Sequence, residues 1–393
     1  MTTHADAAAV TRTLAERTGT DAADWFLVFK ARYGMAVVFR ALAAVRGRGD
    51  VVTQVFTCST AVDPVLVGGL RPVHAEVAAA SVAVDPERLT VDGATRAVVV
   101  QHTFGIVDEP RARGLAERAR SVGALVVEDS AHCVGRLARD EDGAPLADVS
   151  VHSFGVEKML PTRFGGAIWL NPAMRDTALR ERVGRDLDAL PTIGRRLDLV
   201  TRAYRTQVRV LNRLGGVGAR LRSGLTGAGL FEPAVAPVEG RAALAHRPMR
   251  PSRWMLAQIE AALPGLDATE QRRAAAVAQY VRELSGVVEI PAAIGAGAPL
   301  VRFPFFAADA DAATRTVDAL TAAGVYAGRW YRPGLFPGVE DPRAYGWTPG
   351  SLPVTEDLIA RVVNLPTAVE PAEARRIAAL VRGVSPAAGP SGT

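Results

Sequence analysis

The chain has 393 residues, 49% of them apolar and 22% charged, with a formal net charge of +5. That length exceeds one ordinary domain and suits a large core with a smaller second domain, and the composition excludes a disordered chain. Its longer apolar runs, such as Ala94–Val100 interrupted by Arg96, fall well short of the roughly 20 residues that cross a bilayer.

Residues 1–19 carry acids and no continuous apolar stretch, so a secretory signal is not expected and the cytoplasm is. Two cysteines, Cys58 and Cys133, give no disulfide framework and fit a reducing compartment. Among 46 basic residues only Lys30 and Lys158 are lysines. Arginine replaces lysine wherever charge alone is needed, but not as an amine nucleophile. A surviving lysine in this background is therefore worth inspecting, although a surface lysine needs no special reason.

Residues 50–170 alternate short strands with helices. Strand character falls at 51–56, 71–77, 94–105, 124–132, 148–155 and 166–171, and residues 109–123 have helical composition ending at Gly123. This pattern implies βαβ units and a mostly parallel sheet flanked by helices. Ligands of such sheets bind at the carboxyl ends of the strands, which selects Phe56–Thr60, Gln101–Gly105, Asp129–His132 and Ser153–Lys158. Residues 174–245 read as an arginine-rich insertion. Within it, Arg195–Arg222 holds eight arginines against Asp198 alone, and residues 195–214 have the spacing of a basic amphipathic helix. A solvated face packed on a second subunit is the preferred reading of residues 195–222; contact with an anionic membrane surface is the sharper one. The chain as a whole is not read as a nucleic-acid binder. From Trp254 a long helical pattern leads to 300–306, a helix near 310–323, the segment 325–331 and a last helix at 371–384, which together suggest a small C-terminal α+β domain. The expected division is an N-terminal segment 1–28, a large domain 29–260, a small domain 261–386 and a disordered tail 387–393.

Lys158 follows a strand and precedes Gly165–Gly166, a setting that suits a Schiff-base lysine as well as a loop lysine. Asp129, at the end of an apolar strand, could hold a protonated pyridine nitrogen or serve as a helix cap. Gly34 and Met35 open a helical run and offer backbone N–H groups to a phosphate; Ser153 offers a hydroxyl. His102 and His132 fall at strand ends and are as compatible with packing as with a cofactor. No histidine, cysteine or carboxylate group shows metal-ligand spacing, so no metal is expected.

The ordered series YGMAVVFRAL, FTCSTAVDPVLVGGLRPVHAEV, QHTFG, VVEDSAH, SFGVEKMLPTRFGGAI and LPVTEDLIARVVNLP resembles the motifs of DegT/StrS-type sugar aminotransferases, which are fold-type I enzymes dependent on pyridoxal 5'-phosphate. The resemblance runs from about Phe29 to Val384, apart from 174–245. It implies an α/β fold with a large domain and a small C-terminal α+β domain. It implies Lys158 as Schiff-base lysine and proton carrier, Asp129 on the pyridine nitrogen and His132 beside the ring hydroxyl. Ser153 and the Gly34–Met35 backbone would hold the phosphate, with Cys58 against the ring. It also implies a homodimer with shared active sites, Ser252 reaching the partner's phosphate, and transfer of an amino group from L-glutamate to a keto sugar, cyclitol or related ketone. Trp330, Tyr331, Arg332 and His102 are the expected substrate contacts.

The departures from the family pattern are Cys58 at an aromatic position, Met35 at a hydroxyl position, Arg163–Phe164 before the paired glycines, and GRWYRPG at 328–334. They suggest a pocket shaped for something other than the commonest nucleotide-linked keto sugars. They also keep open an elimination, decarboxylation or C–N bond-forming reaction on the same cofactor. A non-catalytic binding protein of the same fold is the remaining alternative.

Overall fold

The computed structural model describes residues 3–384. In chain order its regular elements are α1 (Thr3–Thr18), β1 (Trp25–Val28), α2 (Ala31–Arg46), β2 (Asp50–Thr53), α3 (Ser59–Val67), β3 (Arg71–His74), β4 (Val77–Ala78), β5 (Ala83–Val84), β6 (Thr95–Gln101), α4 (Glu109–Ser121), β7 (Leu125–Ser130), β8 (Val149–Ser153) and β9 (Gly166–Leu170). Then come α5 (Thr177–Asp188), α6 (Arg195–Arg213), α7 (Gly215–Gly227), α8 (Arg253–Ala262), α9 (Leu266–Leu284), β10 (Arg302–Phe306), α10 (Ala310–Ala322), α11 (Pro353–Arg361), β11 (Val362–Pro366) and α12 (Pro371–Val384).

Seven strands form the main sheet in the order β1-β9-β8-β7-β6-β2-β3. Only β9 runs against its neighbours; it pairs antiparallel with both β8 and β1. The central strands are buried on both faces, which is why β6 and β7 read as near-continuous apolar runs. Alternate residues go to opposite layers. Ala97, Val99 and Val127 meet α2 and α5 on one face, while Val98, Val100 and Val126 meet α4 on the other. Asp108 starts α4 by accepting the N–H of Arg111.

The strand and helix expectations for 50–170 fall within a few residues of the elements observed. The sheet starts earlier than the expected boundary at residue 29, because Trp25–Val28 is its edge strand. Residues 325–331 form no strand; Gly328 makes a single antiparallel bridge to Asn364 of β11, and Tyr326, Trp330 and Tyr331 reach the cavity at the main sheet's carboxyl edge. The expected amphipathic helix is α6, which turns back into α7. The expected disordered tail lies outside the described residues.

Strands β10 and β11 form an antiparallel pair packed by α9, α10 and α12. Val55, Phe56, Val62 and Phe104 of the sheet region belong to this same apolar cluster, so the two parts share one interior. A strap, residues 231–250, crosses between them. Asp63 of α3 ties all three together: it is fully buried and accepts the hydroxyl of Tyr345 and the backbone N–H of Gly240.

Burial raises the Asp63 carboxyl to about pH 6. An acid whose pKa is higher folded than unfolded stabilises the fold below its unfolded pKa and loses that contribution as pH rises through the folded value. Asp63→Asn keeps an acceptor without the charge. Its stability relative to wild type should therefore rise between pH 4 and pH 8, by about 3 kcal/mol at most, as read by urea denaturation at the two values. A pH-independent difference would show that Asp63 stays charged throughout.

Candidate active site

Because β2, β6, β7 and β8 run parallel, their carboxyl ends open on one edge of the sheet. The segments leaving those ends supply Thr57, Cys58, Gln101, His102, Asp129, His132, Ser153 and Lys158 to a single cavity of about 390 Å³. The far wall comes from 330–336 and the strap.

Lys158 sits on the turn between β8 and β9. Its amine lies 5.8 Å from the centroid of the Trp330 ring and, among the described residues, makes no hydrogen bond or ion pair. Burial, the largest influence, pulls its pKa below the usual lysine range, against the opposing pull of Cys58 and Asp129. Asp129 is 8% exposed and faces the cavity. One carboxylate oxygen accepts the N–H of Ala131, which leaves the other without a protein donor. Burial pushes its pKa up, partly offset by that N–H and by Lys158.

His132 accepts the Phe104 N–H at Nδ1, so its proton belongs on Nε2, 3.4 Å from the Tyr331 hydroxyl. The Trp330 ring stacks on it at 5.6 Å and 9°. Burial first, then the charge of Lys158, holds its pKa well below the ordinary value, so the ring is neutral at neutral pH. His102 is fixed by Glu128, whose Oε1 lies 2.8 Å from the ring and also accepts the Ala138 N–H. Burial of Glu128 is outweighed by these donors, and its carboxyl stays ionised below its usual range. Ser153 accepts the Gly155 N–H, which leaves its own proton free to donate.

One expected contact falls elsewhere, and one half of a pair separates. Gly34 points into the sheet: a Cβ there would come within 2.5 Å of Ile168. It is a close-packing glycine, and the same helix turns Ala31, Arg32 and Met35 to the cavity instead. Arg332 points away, its guanidinium bonded to the carbonyl of Ala360. Ser252 caps α8 by accepting the Met255 N–H and bonds Asp198, outside this protomer's cavity. Trp330 and Tyr331 do line the cavity.

The reading from sequence missed Lys30 and Arg32. Lys30 precedes α2 without capping it and pairs with Glu232 of the strap; Arg32 pairs with Glu239. Lys30 did carry a signal, as one of two lysines. Its acidic partners, some 200 residues away, carried none.

These residues fit pyridoxal phosphate. The donor set offers an amine without a protein partner, a buried carboxylate with an open oxygen and a flat ring wall. A serine hydroxyl beside an uncapped helix start suits a phosphate. Among the described residues no group of histidine, cysteine and acidic side chains could hold a metal.

Residues 29–188 match the profile of the DegT/DnrJ/EryC1/StrS aminotransferase family. A curated relative, the dTDP-4-amino-4,6-dideoxy-D-glucose transaminase of Shigella dysenteriae, is 28% identical over 156 residues, 39% of this chain. The match spans only 40% of that relative's length. The fold is that of the aminotransferase TlmJ from Streptoalloteichus hindustanus, with a TM-score of 0.67 at 24% identity over 96% of this chain and 90% of the other. Helicobacter pylori PseC, an aminotransferase involved in the biosynthesis of pseudoaminic acid, gives a TM-score of 0.70 at 16% identity over 96% of this chain and 90% of the other.

The two thiols differ in access. Cys58 lines the cavity, whereas Cys133 is fully buried and burial pushes its pKa up to about 12. At pH 8 a thiol reagent should label Cys58 alone in the native protein, and Cys58→Ser should abolish labelling until denaturant is added. Rapid native labelling of the Cys58→Ser protein would show that the Cys133 region opens.

Proposed function

We propose that this chain, whose residues 29–188 belong to the DegT/DnrJ/EryC1/StrS aminotransferase family, is a pyridoxal-phosphate aminotransferase. On this reading it moves an amino group, from L-glutamate, onto a keto sugar, cyclitol or similar ketone. The single observation that carries the proposal is the Lys158 amine, held without a protein partner in the same cavity as the Asp129 carboxylate.

Bound pyridoxal phosphate supplies an electron sink that eases loss of a proton from the carbon bearing the amine. Lys158 holds and returns that proton: its lowered pKa brings the neutral amine closer to working pH. Asp129, whose pKa burial has raised, regains its charge when a cation such as a ring N–H⁺ stands against it. Neutral His132 keeps its Nε2 proton toward Tyr331 and available to a ring oxygen. Ser153 and the first turn of α2 bind phosphate, with the helix dipole favouring the anion. Trp330, stacked on His132, excludes water from the Lys158 side. A homodimer and a cytoplasmic setting belong to the same proposal. Among the described residues, no helix is long and apolar enough to cross a membrane.

Elimination or decarboxylation on the same cofactor is the second reading, favoured by Cys58 and Met35 in the cavity wall.

Having two lysines makes the test direct. The protein incubated with pyridoxal phosphate should show a visible absorption band that L-glutamate bleaches. Borohydride reduction should fix the cofactor to the peptide of Lys158 and leave Lys30 unlabelled. Lys158→Ala should lose the band and about 1,000-fold or more in turnover. Label on Lys30, or full turnover by Lys158→Ala, would overturn the assignment. A stable band that glutamate does not alter, with a substrate consumed, would favour the second reading.

A further inference from the structure

Helices α6 and α7 form a hairpin whose inner and outer faces differ sharply. The inner face of α6 is apolar: Val200, Tyr204 and Leu211 are buried, and Tyr204 stacks on Phe231 and meets Phe164 edge-on. Phe164 itself lines the cavity. The hairpin therefore lies directly behind the cavity wall, and Arg205 is fastened to the Pro161 carbonyl.

The outer face has a helical stripe. Arg195, Leu199, Arg202, Thr206, Arg209 and Arg213 recur at steps of three and four and are all exposed. Around the turn into α7, Val210, Leu214, Val217 and Leu221 stand 48%, 46%, 61% and 46% exposed, and Leu199 is 65% exposed. Arg209, Arg213 and Arg220 surround them. Between Ala189 and Phe231 the only acid is Asp198, which is already held by Arg202 and Ser252. Arg195, Arg209, Arg213 and Arg220 have no hydrogen-bond or ion-pair partner among the described residues.

We infer that this hairpin is a docking element for the surface of an anionic phospholipid bilayer. The occupant follows from charge and polarity together. A two-fold contact centred on this face would bring the unpaired arginines of the two copies together, with Asp198 as the hairpin's one acid to offset them. Nucleic acid would satisfy the charge, but the hairpin itself carries no exposed aromatic side chain to stack on bases, and the one ring beside its outer face, Trp254 of α8, is partly buried and covered by the Arg202 guanidinium. Nor would nucleic acid have a use for four exposed aliphatic side chains at the turn. A bilayer surface uses both features: the guanidinium groups meet lipid phosphates, and the aliphatic tip enters the headgroup–acyl boundary. Neither helix is apolar enough to span, so the hairpin lies on the surface. Docked so, it would hold the cavity wall at Phe164 one helix diameter, about 10 Å, from the lipid. The inference stands on the hairpin alone and does not depend on the proposed reaction.

Co-sedimentation of the full-length protein, loaded with pyridoxal phosphate, tests it. Vesicles of phosphatidylcholine with and without about 30 mol% phosphatidylglycerol are compared at low and high salt. Binding is expected only to the anionic vesicles, weakened by salt. Combining Arg195→Gln, Arg209→Gln, Arg213→Gln and Arg220→Gln should lower the partition coefficient by about 1,000-fold. Combining Val210→Ser, Leu214→Ser, Val217→Ser and Leu221→Ser should remove the part of the binding that survives high salt. All eight side chains are exposed, so unchanged thermal melting is expected of both proteins. Absence of binding to anionic vesicles at low salt overturns the inference, as does binding that neither set alters. Duplex DNA bound as tightly as vesicles and insensitive to the serine set overturns it in favour of a nucleic-acid face. Loss of a dimer in sedimentation velocity with the serine set overturns it in favour of an interface between copies.

Discussion

The direction of the central strands constrains everything else in this molecule. Strands buried on both faces must be apolar along their length, so polar chemistry can gather only where they end. With β2, β6, β7 and β8 pointing the same way, those ends coincide. Asp129 and Lys158 come from different strands, yet share one cavity without any local sequence proximity. Reversal of β9 returns the chain beside β8, and the turn between them carries Lys158. The close approach of α2 to β9 at Gly34 and Ile168 then sets how deeply that helix start enters the site.

Charge is distributed around the cavity in two ways. Lys158 and Asp129 are buried without full partners; burial shifts both pKa values toward the neutral forms, and the open positions leave each responsive to a bound group. Lys30 and Arg32 are instead neutralised by Glu232 and Glu239 of the strap. Removing one partner of a buried pair leaves an uncompensated charge and typically costs about 3–5 kcal/mol. The strap is thereby pinned over the start of α2, and Asp63 fixes its middle, at Gly240, to α3 and Tyr345. This segment without regular structure is thus held by its charges as well as by Phe231 and Met249, which pack in the apolar cluster of Phe29, Tyr33 and Phe164.

The outer hairpin is the counterpart of this arrangement. Lys30 and Arg32 beside the cavity are matched by acids, whereas Arg195, Arg209, Arg213 and Arg220 on the outer side of α6 and α7 have no partner among the described residues. The same helix joins the two environments, since its apolar side completes the wall behind Phe164 while its basic side meets solvent.

Much of the fold and half of the site were legible in the chain. Short apolar runs, helical composition and 3.6-residue periodicity placed the strands, helices and strand ends, because each depends only on neighbours in sequence. Lys158, Asp129, His132 and Ser153 followed, since a residue just beyond a buried strand has only one edge of the sheet to occupy. Lys30 stood out by its rarity but not by its place. What remained depended on which face a helix turns and which distant segment folds over it. Gly34 faces the sheet because Ile168 packs there, and Arg332 turns to Ala360. Glu232 and Glu239 meet their cations across 202 and 207 residues. Sequence alone determined the strands and the chemistry at their ends; tertiary packing decided which side chains face the cavity, because orientation and long-range charge pairing are settled only when the layers close.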